Sequence, residues 1–509
     1  MSVEKHTSSF DEKAPGVDVD VVQPDSVSLA IEERRLVRKI DWRIIPIACA
    51  VYLFAFLDRS NLGNARLQGL PQDTLHGDPT GVLFDWVNSA FFFSYIICQV
   101  PATLLAKLCP PRIWLGCAVV GWGMCSALMS TAFNFPGLMV ARIGLGAFEA
   151  CFAPGIPLYL SYFYTKEEIG KRLAFWFGFA AVAGAFGGLI AFGIQNVHAA
   201  IANWRLLFII EGVPTVLFGL LAMAILPNRP EETSMFNEKE REIALERMNR
   251  GYKADVGRHI AKSHIYAAFK DWRVYTGGVL YFGVNCAVAS ITAFLPTIIT
   301  TFGVTNARAQ LLTVPPYAVA VVVLCITAYF SDRQQSRGVF IAAASTLAGI
   351  GYVLLLTVGE NIHVRYFATF CITSGTYTSI GVTIAWFAHN LGSETKQATG
   401  TPIYQAIGQC GSVLGSHIFP ATEGPQYIKG FAVSCALQFL GALAAVILTV
   451  SPGLKLLCLV ALAHIHCVRK ISYRNDNKRR DEKYGKPVQG EPVDTSELAD
   501  KAPGFRYVP

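Results

Sequence analysis

Between Ile44 and Val468 the sequence returns repeatedly to apolar runs of about 20 residues, the length a helix needs to cross the hydrocarbon core of a bilayer. Backbone N–H and C=O groups find no partner in lipid, so a run of that length must satisfy them within itself as a helix. Runs can be marked at about 43–64, 85–108, 113–133, 137–164, 172–194 and 204–227, and again at about 275–301, 311–331, 338–358, 365–389, 398–420 and 427–450. The expected fold is therefore an all-α membrane protein of twelve transmembrane helices in two sets of six. Composition agrees: of 509 residues 52% are hydrophobic and 16% charged, whereas soluble proteins carry about 25% charged residues.

Charge placement sets the organisation. Residues 1–33 are polar and lack the apolar core of a signal peptide, so the first run is expected to direct insertion itself. We expect a disordered tail over 1–33, a six-helix bundle over 34–227, a linker with an amphipathic helix over 228–272, a second bundle over 273–450, and a helix extension with a tail over 451–509. Lys and Arg gather at Arg34 to Arg43, Lys107, Arg112, Lys166 to Arg172, the linker, Arg333, Arg337, Lys396 and beyond Arg469. All of these fall on one side of a twelve-span arrangement, which the positive-inside rule makes the cytosol, together with both termini. The net charge of +7 is thus a topology signal in a multi-pass protein of the plasma membrane, not a nucleic-acid surface. Pro452 to Val468 is again apolar apart from Lys455 and two His. As a thirteenth span it would place a strongly basic segment outside, so a kinked extension or interfacial helix is expected there.

The thirteen Cys lie in or beside apolar runs with no CxxC pair and read as small core hydrophobes. His464, His466 and Cys467 splay around a helix axis and make no metal site. There is no HExxH, GxSxG or P-loop, so neither enzyme chemistry, cofactor nor metal is expected. The expected partners are a small molecule, protons and the bilayer, with the chain acting as a monomer.

Charges within the runs are costly, about 2.5–3.5 kcal/mol each on insertion scales, and so point to function. The first run carries Asp58 and Arg59, the fourth Arg142 and Glu149. A spacing of seven is two helical turns, about 10 Å, which puts Arg142 and Glu149 on one face. If the first and fourth helices pack together, Asp58 can neutralise Arg142. Two salt bridges stapling helices would give the same pattern. In the functional reading, Arg142 offers its planar fork to a substrate carboxylate, while Asp58 and Glu149 carry protons. Burial favours the neutral acid and a nearby guanidinium the carboxylate, so an anion that occupies the arginine promotes protonation.

The strings RKIDWRIIP, YLFAFLDRSNLGNA, QVPATLLAK, RIGLGAFEACFAPGIPLYLSYFY, WRLLFIIEGVP, SDRQQSRG and the terminal GFRY of Gly504 to Tyr507, set in paired six-helix halves, carry a family resemblance. The chain resembles the anion:cation symporters of the major facilitator superfamily, especially the fungal allantoate and vitamin permeases. The resemblance implies two pseudo-symmetric halves with a substrate site between them. It also implies proton coupling at Asp58 and Glu149, and substrate or gating roles for Arg59 and Arg142. Tyr95 and Gln99 match pocket-side positions of the second helix.

The implied function is proton-coupled import of a small organic anion such as nicotinate, allantoate or pantothenate. The alternatives are an exporter of a carboxylate metabolite or drug, and a receptor that does not transport. Bacterial sugar-acid relatives carry a polar amide in the fifth helix where this chain reads FGFAAVAGAFGGLIAFG, which disfavours a polyhydroxylated substrate. In the second half Asn285, Asn390, Gln405 and Gln409 are polar candidates, with Gln405 the preferred contact, and Phe294 and Trp386 candidate walls. Asp332, with Arg333 or Arg337, is the expected gate in SDRQQSRG; the matching loop with Arg112 has lost the acid. Glu211 is expected to be a structural charge beside Arg205.

Overall fold

A computed structural model of the chain describes residues 24–197, 200–249, 252–253, 262–358, 361–391, 393–424, 426–449, 473–487, 493–494 and 499–507. The stretch 451–472, and with it the apolar run that follows the twelfth helix, lies outside the described residues. The first half comprises α1 (Pro24–Leu67), α2 (Leu70–Thr74), α3 (Val82–Leu108), α4 (Pro111–Met129), α5 (Phe135–Glu149), α6 (Gly155–Ser161), α7 (Lys166–Gln195) and α8 (Asn203–Ile225). After α9 (Glu238–Asn249) and α10 (Lys262–Phe269) the second half comprises α11 (Trp272–Thr300), α12 (Asn306–Leu312), α13 (Val314–Gln334), α14 (Arg337–Thr357), α15 (Ile362–Asn390), α16 (Glu394–His417) and α17 (Ile428–Thr449). A last helix, α18 (Tyr473–Tyr484), belongs to the C-terminal tail.

Helix starts follow local chemistry. Asn134, Asp271, Asn361 and Ser393 accept backbone N–H bonds at the starts of α5, α11, α15 and α16, and Thr165 with Glu168 forms a capping box at α7. Helix α1 runs 44 residues, about 66 Å, roughly twice the thickness of a hydrocarbon core. It begins inside the stretch that the sequence assigns to the N-terminal tail. Its first turns stand beside α9, with Lys39 paired to Glu240 at 2.7 Å and Lys239 to Glu32 at 2.6 Å. The side that carries α9, α10 and the tail is called the linker side below.

Nine helices among the described residues are long and apolar enough to cross a membrane. The other three crossings depart from a simple apolar run for physical reasons. The fourth, read as continuous over about 137–164, is broken: α5 stops at Glu149 and α6 restarts at Gly155, with Pro154 in the break. Proline lacks the N–H that a continuing helix needs. The tenth and eleventh, α15 and α16, bury many hydroxyl and amide side chains, among them Thr373, Ser379, Thr383, Thr399 and Gln409. Several of the threonines donate to the carbonyl four residues earlier, which lets a polar helix pack within the protein.

The halves meet along α3 and α16, α7 with α13 and α15, and α1 with α11. Glycines permit the α7 contact: a Cβ at Gly184 would lie 2.8 Å from the Tyr317 ring, and one at Gly188 2.5 Å from the Thr313 hydroxyl. The Gly-rich fifth run is therefore a packing face between halves.

On the linker side the tail is docked rather than loose. The buried Lys396 ammonium pairs with Asp271 at 2.7 Å and with Asp500 of the tail at 2.5 Å. Arg273 pairs with Asp476, and the Tyr507 hydroxyl donates to Asp500 at 2.8 Å. Phe505 and Tyr507 of the GFRY string are buried, and β2 (Val493–Asp494) pairs in parallel with β1 (Tyr252–Lys253) of the linker.

Burial raises the Asp271 carboxyl, but the Lys396 and Arg273 charges outweigh it and hold it below its ordinary value. Such a group stabilises above its unfolded value, and that contribution is lost as pH falls through the folded one. The docked tail is expected to resist limited proteolysis down to about pH 4 and to loosen below it. Asp500→Asn leaves the buried ammonium with one carboxylate; a loss of about 1–3 kcal/mol is expected, read as a lower Tm in detergent and faster cleavage of the tail.

Candidate functional site

Where α1, α3 and α5 of one half face α11 and α16 of the other, they enclose a cavity lined by three kinds of side chain. Phe56, Phe91 and Phe92 form an aromatic wall; Arg59 and Arg142 supply charge; Asn88, Asn285, Gln409, Thr292 and Ser412 supply hydrogen-bonding groups. Its volume is about 40 Å³, room for only a few waters at roughly 10–15 Å³ each. The halves are thus closed over it in this conformation.

The four charged residues of the first half do converge, but their pairing differs from the expected one. Arg59 forms an ion pair with Glu149, and its guanidinium lies 5.0 Å from the Phe91 ring centroid and 5.2 Å from that of Tyr95. Arg142 does not pair with the Asp58 carboxylate; its Nη1 donates to the Asp58 backbone carbonyl at 3.5 Å. Among the described residues no carboxylate comes within ion-pair distance of Arg142, which is nearly fully buried. The reason is azimuth: the Asp58 side chain turns toward α4, where the Ser126 hydroxyl donates to it. Glu211 is likewise not a charge beside Arg205. It is fully buried within α8 and accepts from the Asn61 amide, while Arg205 donates to the Ser130 carbonyl.

Two seals bound the cavity. Away from the linker side, the Asn88 amide donates to Ser416 at 2.9 Å, and Ser89 hydrogen-bonds the His417 ring at 2.9 Å. At the same level α1 and α11 touch backbone to backbone, since a Cβ at Gly63 would lie 2.6 Å from the Ala293 carbonyl oxygen. Toward the linker side, the Lys107 ammonium donates to Thr395 at 2.8 Å, joining the ends of α3 and α16. Arg337 pairs with Asp332 at 3.1 Å, donates to the Ala385 carbonyl and packs against Gly170 of α7.

The remaining sequence candidates divide. Asn285 lines the cavity, with its Nδ2 buried and without a partner. Tyr95 stacks on Arg59 from behind the lining, and Gln99, one turn on, is fully buried with both amide atoms unpartnered. Gln405 is buried outside the lining, and Gln409, one turn further along α16, takes its place. Phe294 does not wall the cavity; it packs on Phe419 with centroids 5.5 Å apart. Trp386 is fully buried beside Phe387, near Gly338 and the Arg337 pair. Arg112 and Arg333 are exposed and stay outside the Asp332 pair. No residue of α7 lines the cavity, so the apolar fifth helix says nothing of substrate polarity. Sequence reasoning missed Asn88 and the aromatic set Phe56, Phe91 and Phe92; an amide inside the string DWVNSAFFF was the available signal.

Residues 48–416 match the Major Facilitator Superfamily. The chain is 32% identical over 485 residues to the high-affinity nicotinic acid transporter of Saccharomyces cerevisiae, covering 94% of this chain and 85% of that one. It is 31% identical over 485 residues to the major facilitator-type transporter hxnP of Emericella nidulans, covering 93% of each. Among solved structures it superposes on the proton:xylose symporter XylE with a TM-score of 0.63 and 16% identity, over 80% of this chain and 96% of that one. At such identity the likeness is one of fold.

The Gly63 contact makes a checkable claim about the first seal. Gly63→Val should force α1 from α11 and open the cavity on the side away from the linker. A cysteine placed at Thr292 should then react with a thiol reagent about tenfold faster than in the Gly63 parent, as a shift of about 1.4 kcal/mol in the closing equilibrium would give.

Proposed function

The chain belongs to the Major Facilitator Superfamily, and on that premise we propose that it is a proton-coupled symporter that imports a small organic carboxylate. The observation that carries this reading is the Arg142 guanidinium, which faces the cavity with no carboxylate partner while its neighbour Arg59 is held by Glu149. A guanidinium fork stays charged when desolvated and matches a carboxylate in two-point geometry. Aromatic faces on one wall and three amides around it suit a flat, ring-bearing monoanion. Nicotinate fits that description and is named in the yeast relative.

Coupling follows from sharing one arginine. When Glu149 takes a proton, Arg59 loses its counter-ion and turns to the substrate carboxylate alongside Arg142. When the proton leaves, Glu149 reclaims Arg59 and the anion is displaced. Asp58, with Ser126, and Glu211, with Asn61, form a second pair of buried carboxyls behind α1, through which a proton can pass. The linker side is the cytosol in this reading, and the membrane is the plasma membrane. The Lys107–Thr395 and Arg337–Asp332 contacts then belong to the inner gate.

The test is uptake of labelled monocarboxylates by a permease-deficient yeast expressing the chain. Uptake should rise as external pH falls from about 7 toward about 5, because an acidic exterior loads Glu149 outside and the cytosol unloads it. A protonophore should collapse it. Net proton-driven extrusion of the carboxylate from loaded cells would defeat the import reading.

Glu149→Gln keeps the shape of the side chain but cannot cycle a proton, so it should abolish accumulation while substrate exchange persists. Accumulation at wild-type level would remove Glu149 from the mechanism. Arg142→Lys keeps charge but loses the fork; kcat/KM should fall about a hundredfold, as loss of roughly 2.8 kcal/mol of charged hydrogen bonding implies. Unchanged kinetics at equal surface expression would reject the assignment.

A further inference from the structure

A second cavity, of about 390 Å³, lies beyond the Gly63–Ala293 seal on the side away from the linker. Three of the five helices that line the central cavity, α1, α3 and α11, reach it one to two turns further out, and α2 with its flanking loops and Asn306 of α12 complete it. On α1, Arg66 follows Arg59 by seven residues, about 10 Å; on α3, Phe84 precedes Asn88 by four, about 6 Å; on α11, Thr297 follows Thr292 by five, about 7.5 Å. Each helix thus carries a residue lining the central cavity and another lining the outer one.

The Arg66 guanidinium lies between two rings from opposite halves, 4.6 Å from the Phe84 centroid and 5.4 Å from that of Phe294. Ring faces hold a cation but accept no hydrogen bond in the plane of the fork. Nη1 of Arg66 is accordingly buried without a hydrogen-bond partner, and so is the hydroxyl of Thr297 in the same lining. The one acid in that lining, Asp78, is committed elsewhere: one oxygen accepts from the Phe84 N–H at 2.9 Å and the other from Thr80 at 3.2 Å. Among the described residues no carboxylate lies within ion-pair distance of Arg66. A charged fork and a hydroxyl, both with buried, unpartnered donor atoms on residues that line this cavity, are the groups that a carboxylate requires.

We propose that Arg66 and Thr297 form a second, outer anion site that takes the substrate carboxylate before it reaches Arg142. The proposal rests on the carboxylate reading given above. It also accounts for the place of Phe294, one residue from the carbonyl that meets Gly63. An anion that draws the guanidinium away from Phe294 removes a contact between halves beside the seal, so occupation of the outer site favours opening.

Equilibrium binding of labelled nicotinate to the purified full chain, paired with uptake kinetics at equal surface expression, tests this. Wild type should show two classes of site. Arg66→Gln should lose the weaker class and raise apparent KM about tenfold with kcat within about twofold, as loss of one charged contact gives. Arg66→Lys should be intermediate, and Thr297→Val should raise KM about threefold, which keeps the proposal testable if an Arg66 variant does not fold. Arg142→Lys should keep the weaker class and lose the stronger.

A single class of site that depends on Arg142 and is indifferent to Arg66 and Thr297 overturns the outer site alone. A fall in kcat and thermal stability with KM unchanged does the same, since that is what a purely stapling arginine would give. Wild-type protein that binds neither nicotinate nor benzoate overturns the carboxylate reading and this site together.

Discussion

Much of the central architecture depends on how the charge of Arg59 is held at the contact between two apolar halves. A guanidinium in the middle of a bundle is tolerated only with a partner, and Glu149 from the fourth crossing supplies it. That pair brings α1 to the inner end of α5, and the break at Pro154 ends the helix just past the carboxylate. Phe91 and Tyr95 then cover the guanidinium with their ring faces, which fixes the face that α3 presents to the cavity. Arg142 enters the same space already outcompeted for Glu149, left with a backbone carbonyl and an unpaired fork.

Around this centre the halves are joined by contacts that can be made and broken without exposing much apolar surface. They include hydrogen bonds between polar ends, Asn88 with Ser416, Ser89 with His417 and Lys107 with Thr395, and glycine faces that let helices touch at Gly63, Gly184 and Gly188. A net hydrogen bond is worth about 0.5–1.5 kcal/mol, and one from a charged group about 1.5–3 kcal/mol, so each such bond can be broken at modest cost. That suits a carrier that has to open on both sides. By contrast the tail cluster around Lys396 is made of several charged bonds that tie the tail to the second half.

The twelve crossings and their division into halves were legible because length and hydropathy are one-dimensional properties. Pairing was not, because it depends on azimuth. Asp58 and Arg59 are neighbours in sequence and point about 100° apart on a helix, so one meets Ser126 and the other Glu149. A one-turn difference separates Gln405 from Gln409, and only the packing of α16 against α11 decides which reaches the cavity. The fifth crossing was legible only as a wall without a polar amide, and sequence could not say that its glycines pack against the other half. GFRY was readable as a motif but not as an anchor, since Tyr507 is held by Arg273 and by the Asp500 that Lys396 binds, and both cations lie far away in sequence.

Obligatory coupling, under the proposed cycle, is a consequence of closing a small charged cavity. With neither ligand, the Arg59–Glu149 pair is neutral and Arg142 alone is left over, in contact with a carbonyl dipole. An anion without a proton meets Arg142 alone, because Glu149 keeps Arg59, and so it gains one fork of the two. A proton without an anion strips Arg59 of its partner and leaves two guanidinium groups facing each other across Phe91. The proton-only state therefore buries a further uncompensated charge at a cost of several kcal/mol, while the doubly loaded state has the net charge of the empty one and holds the carboxylate on both forks. A ligand shifts a conformational equilibrium only by its differential affinity for the two states. Here that difference arises when proton and carboxylate are present together, so the closed, reorienting conformation is reached with both.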